Sequence, residues 1–160
     1  MPSWIHRAAP LLAMLLTVLV ASMVPYGRAS AGAPYSVWLM EGKAAVQVFD
    51  CNGLLCARIL WLQTPQDSQG QPKRDINNPD PALRQRELCG LTMVRDLRAT
   101  GPDRWEGGSF YNPETGKTYK VSTELTSADQ LVARVYQGTA IVGETKSLRR
   151  VLHGTSAGWC

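Results

Sequence analysis

Lys117-Thr118-Tyr119-Lys120-Val121-Ser122-Thr123-Glu124-Leu125 decides the fold class: Tyr119, Val121, Thr123 and Leu125 fall on one side of an extended chain, and Lys120, Ser122 and Glu124 on the other. A period of two belongs to a half-buried β-strand. Lys43 to Phe49 repeats the pattern, with Ala44, Val46 and Val48 on one face and Gln47 on the other. Between such runs lie turn signals: Glu41-Gly42, Asn52-Gly53, Thr100-Gly101-Pro102-Asp103, Asn112-Pro113-Glu114-Thr115-Gly116, Ser127-Ala128-Asp129 and Gln137-Gly138. The spacing predicts an all-β chain of eight antiparallel strands, near residues 36–41, 43–50, 54–63, 88–95, 104–112, 117–126, 129–136 and 141–152. An up-and-down sheet of this size closes into a barrel, because closure removes the edges that invite aggregation. With eight strands the interior is either filled by side chains or holds one small ligand.

One segment interrupts the alternation. Thr64 to Glu87 is polar and proline-containing, and an ordered loop of that length in a compact domain is usually functional. Within it Gln69-Gly70-Gln71-Pro72 reads as a tight turn, and Asp80-Pro81-Ala82-Leu83-Arg84 as a helical turn. Asp80 is placed to cap the free N–H groups there, and Pro81 suits the first helical position. The loop is expected to cap the barrel mouth.

The N-terminus reads as an export signal. His6 and Arg7 precede an apolar run from Ala8 to Val24, and Ala29-Ser30-Ala31 offers the small residues of a cleavage site. Residues 1–31 are therefore expected to be removed, leaving one barrel domain over 32–160. That run is borderline for a membrane span, which needs about twenty residues, so a retained anchor is the alternative to cleavage. Cleavage also discards Arg7 and Arg28 without any acid, lowering the net charge from +4 to +2. Basic residues in the remainder are scattered or in pairs such as Lys73-Arg74 and Arg149-Arg150, which argues against a nucleic-acid partner.

An oxidising compartment suits the cysteines. Cys51 and Cys56 flank Asn52-Gly53-Leu54-Leu55 and are expected to form a structural disulfide. A four-residue loop would set them opposite each other, whereas a two-residue Asn-Gly turn would put them two positions out of register. Cys89 and Cys160 are left either as a second bridge or as separate thiols.

Chemistry-bearing clusters are few. After cleavage His153 is the sole histidine, too little for a triad or a zinc site. Asp75 and Asp80 with Asn77 and Asn78 offer oxygen ligands in one loop, but without the EF-hand order. The simpler reading has Asp80 capping a turn while Asp75 pairs with Arg84 or Arg86. Nothing in the sequence places Glu106 near Glu144 as an acid and base. No cofactor is implied.

Three ordered motifs resemble a known family. They are Val46-Gln47-Val48-Phe49-Asp50-Cys51-Asn52-Gly53-Leu54-Leu55-Cys56-Ala57-Arg58-Ile59-Leu60-Trp61-Leu62, then Asp75-Ile76-Asn77-Asn78-Pro79-Asp80-Pro81-Ala82-Leu83-Arg84-Gln85-Arg86, then Trp105-Glu106-Gly107-Gly108-Ser109-Phe110-Tyr111-Asn112-Pro113 with Gly116-Lys117-Thr118-Tyr119. Together they resemble the exported bacterial proteins grouped as domain of unknown function 2147. The resemblance implies a lipocalin-like, calycin-type barrel and a Gram-negative periplasmic or secreted setting, with no established activity. Two departures stand out: Arg86 is followed by Glu87-Leu88-Cys89-Gly90 where the family tends to have Arg-Pro before Leu-Gly, and Leu148 stands where a tryptophan is expected.

A small barrel suits two functions. In the first it binds a small hydrophobic ligand, with Trp38, Trp61, Trp105, Tyr111 and Tyr119 as candidate lining and the loop carrying Asp75, Asn78, Asp80, Arg84 and Arg86 as lid; the aromatic residues are otherwise plain core. In the second the interior is filled and the protein is a structural or interaction component of the envelope. Interior volume separates them, since ligand pockets measure roughly 300–1,000 Å³.

Overall fold

The computed structural model describes residues 33–151 and residue 160, and the N-terminal export segment and His153 lie outside them. The strands are β1 (Val37–Met40), β2 (Ala44–Asp50), β3 (Leu55–Leu62), β4 (Thr92–Gly101), β5 (Arg104–Asn112), β6 (Lys117–Ser127), β7 (Gln130–Tyr136) and β8 (Gly143–Arg150). Each pairs antiparallel with the next, and β1 pairs with β8 to close the barrel. Among the described residues the one helical element is a 3-10 turn at Pro81–Leu83, with Asp80 Oδ1 accepting from the Ala82 N–H. The expected closed all-β barrel is thus the observed one.

Along β6, Val121, Thr123 and Leu125 are buried while Lys120, Glu124 and Thr126 are exposed. Apolar side chains therefore face the interior and polar ones the outside, the inverse of a lipid-embedded barrel. Trp38, Trp105 and Leu125 belong to the buried core near the end where β1 and β5 begin and β6 finishes. There the Trp38 Nε1–H donates to the Pro34 carbonyl at 2.9 Å, and the Arg150 guanidinium lies 4.4 Å from its ring centroid.

β4 begins later than its expected start at residue 88. Leu88 to Leu91 forms a turn, closed by the Leu91 N–H on the Leu88 carbonyl and tied to β3 through Ile59. Beyond it Asp96 has a φ of 63°; that residue breaks the alternation, so periodicity loses the strand midway although it continues to Gly101. β8 likewise starts at Gly143 rather than 141, because Arg134 holds the preceding residues in a loop, donating to the Ala140 and Ile141 carbonyls.

The hairpin between β2 and β3 has a bare two-residue turn. Asn52 and Gly53 have φ of 62° and 79°, positive at both central residues as a type I′ turn requires, and the Cys51 N–H donates to the Leu54 carbonyl across the turn. Phe49 pairs with Cys56, so the cysteines are diagonal neighbours. They are nevertheless bonded, with Cα atoms 5.9 Å apart. Strong twist in a tight hairpin brings one diagonal pair close enough, so the four-residue loop is not needed for the bridge. Cys89 and Cys160 are also bonded, and the Cys160 N–H donates to the Leu60 carbonyl. Replacing Cys51 and Cys56 together by serine should cost about 2 kcal/mol of stability through the loop entropy restored to the unfolded chain; urea denaturation of the variant measures it, and an unchanged midpoint would contradict the staple.

Candidate functional site

The interior holds a cavity of about 970 Å³. Val46, Val48, Leu55, Ala57, Ile59 and Val121 form much of its deep wall. Thr123 interrupts that apolar surface, and its hydroxyl is buried without a hydrogen-bond partner among the described residues. Every charged lining residue lies at the other end: Glu41, Lys43, Lys73, Glu114, Glu144 and Lys146 come from the β1–β2 turn, the long loop, the β5–β6 turn and the β7–β8 end. That end is the mouth.

Of the aromatic residues expected to line the interior, Tyr119 does so, its ring centroid 6.3 Å from that of Phe110. Trp38 and Trp105 lie in the buried core beyond the cavity wall. Trp61 and Tyr111 are not brought to the cavity, and two bulges explain why. On β3, Ala45 pairs with Trp61 but Val46 with Ile59. The extra residue, Leu60, turns Leu62 inward and Trp61 outward. On β5, Trp105 pairs with Thr123 but Gly108 with Val121, so one extra residue turns Phe110 inward and Tyr111 away. A single inserted residue reverses the facing of everything beyond it. Phe110 and Tyr136 line the cavity without having been singled out by the sequence; the Gly107-Gly108 pair was the signal that the phase changes.

Tyr111 instead joins the long loop. Asp75, fully buried, pairs with Arg86 through Nε at 2.8 Å and Nη2 at 2.7 Å, and accepts from the Tyr111 hydroxyl at 2.6 Å and from Asn78 Nδ2 at 2.8 Å. Arg84 Nε donates to the Asn78 carbonyl, and the Asp80 N–H donates to Asn78 Oδ1. Burial, reinforced by the Asp75 carboxylate, holds the Tyr111 hydroxyl above its ordinary pKa. Asn77 Nδ2 reaches the Pro113 and Glu114 carbonyls. A Cβ on Gly116 would collide with the Asn77 backbone, so the loop docks only because that residue is glycine. Asp75 and Asp80 are thereby committed to holding the loop, whose Lys73 and Leu88 reach the cavity.

Glu106 and Glu144 are not brought together: Glu106 lies 3.7 Å from Arg104 and Glu144 lies 2.5 Å from Lys146. The Glu144 hydrogen bond, the largest influence, raises the pKa of Lys146, and the charges of Glu144, Glu41 and Glu114 add to it against partial burial.

Residues 36–150 match the family described as "Uncharacterized protein conserved in bacteria (DUF2147)". The chain belongs to that family. A solved structure described as "Protein HP1028 from the human pathogen Helicobacter pylori belongs to the lipocalin family" is similar to this DUF2147 protein with a TM-score of 0.62 and 28% identity, covering 74% of this chain and 82% of that one. No curated protein matches it. The DUF2147 barrel is lipocalin-like, and among its described residues no helix is long and apolar enough to cross a membrane.

Proposed function

We propose that this protein is exported to the periplasm and holds one small, mainly apolar molecule inside its barrel without transforming it. The observation that carries this reading is the cavity of about 970 Å³ with an aliphatic wall, a size within the roughly 300–1,000 Å³ of ligand pockets. A structural component with a filled core has no use for such a space. Tyr119, Phe110 and Tyr136 would contact the ligand near the mouth, where Lys73 and Leu88, on either side of the segment that the Asp75 network holds, complete the wall, while residues 75–86 themselves do not line it. Two disulfides and the apolar N-terminal segment support delivery to an oxidising compartment.

Native mass spectrometry of the protein purified from its own periplasm tests both parts. Expected are a polypeptide beginning at Gly32 and an adduct that organic solvent releases as a small lipophilic molecule. A bare polypeptide that also fails to take up any hydrophobic probe would overturn the binding reading, and a chain retaining residues 1–31 would overturn cleavage.

A further inference from the structure

Charge is distributed unevenly around the cavity mouth. Lys146 sits among carboxylates, with Glu144 Oε1 at 2.5 Å and Glu41 Oε1 at 3.9 Å, and Glu114 adds its charge to the same lysine. Lys43 and Lys73 differ: both line the cavity, and among the described residues neither makes an ion pair. Backbone hydrogen bonds put these two on one stretch of rim. The Gln63 N–H donates to the Lys43 carbonyl at 2.8 Å, and the Lys73 N–H donates to the Pro65 carbonyl at 2.9 Å. Between them Gln63 and Thr64 also line the cavity, adding an amide and a hydroxyl to two ammonium groups. Below this rim the wall is apolar apart from the Thr123 hydroxyl and, among the described residues, carries no charge, so an ionised group has no counter-charge in the depths.

Resting on the reading that the cavity is a ligand site, we infer that its ligand is a single-chain amphiphile with an anionic oxygen head. The acyl or alkyl body occupies the aliphatic interior, and the head, a carboxylate or a phosphate, is held at the rim by Lys43 and Lys73 with Gln63 and Thr64 beside them. A phosphate or carboxylate offers the acceptors that ammonium, amide and hydroxyl donors match. Because these donors are partly exposed, each lysine contributes modestly and is screened by salt.

Calorimetric titration with dodecanoate, dodecyl phosphate and dodecanol tests the assignment, since the three share a chain and differ in the head. At least one anion is expected to bind about tenfold more tightly than the alcohol, and the tighter of the two identifies the head. Lys43→Gln and Lys73→Gln should each weaken anion binding about threefold, the double variant removing the preference, while dodecanol binding stays unchanged. Lys120→Gln, which removes the same charge from the exposed outer face of β6, should have no effect. Equal binding of alcohol and anions, or a preference that survives in the double variant, overturns the head-group assignment and leaves the cavity reading standing. Failure of all three to bind overturns both.

Discussion

Ala133→Trp is expected to weaken binding of an apolar ligand about a hundredfold while the barrel stays folded. Ala133 is half-buried on β7, pairs with Thr123 and Lys146, and lines the cavity. An indole there projects into open volume. In a filled core the same change would force neighbours off their rotamers and cost stability; here it consumes the space the ligand needs. Displacement of a fluorescent hydrophobic probe measures binding, and circular dichroism with the thermal midpoint measures folding. Undiminished probe binding in a folded variant would mean that the interior is not the site. A collapsed fold would instead speak for an interior already full.

Asp75→Ala should be the most damaging single change to stability, at about 4 kcal/mol. The carboxylate is fully buried and joins Arg86, Tyr111 and Asn78. Its removal strands a guanidinium that is partly enclosed, a phenol and an amide at once, and each loses its partner without regaining full access to water. Asp75→Asn keeps the shape but loses the charge and should cost less. Urea denaturation of both variants gives the magnitudes, and hydrogen exchange should show the effect concentrated in the loop around Asp75 and in β5. A loss below about 1 kcal/mol for Asp75→Ala, the size of one ordinary hydrogen bond, would show that this network does not hold the loop.

Much of this site was legible in the sequence because its signals are local. Asp80 followed by Pro81 specifies a capped turn from side-chain reach and a fixed φ, and the 3-10 turn at Pro81–Leu83 carries that cap. Asp75 pairing with Arg86 was one of two options the sequence offered, and folding chose it while directing Arg84 to the Asn78 carbonyl. Tyr111 as partner of Asp75 was not legible, since 36 residues separate them. Nor was the split of the rim lysines, because Lys43 and Lys73 become neighbours only through the backbone that leaves β3.

By itself, the sequence determined the class of the fold, the number and order of its strands, and which loop would be long, because alternation and turn chemistry act within a few residues of chain. It also determined that Cys51 and Cys56 would be close, although not through which turn. Only the tertiary structure decided which side chains see the cavity. The bulges at Leu60 and before Gly108 each reverse the facing of the residues beyond them, taking Trp61 and Tyr111 out and bringing Leu62 and Phe110 in. A bulge is a property of two paired strands, set by how the partner's hydrogen bonds fall in register. The open interior was decided at the same level, since a cavity is the space that eight strands leave when their inward side chains fail to meet, and no single strand contains it.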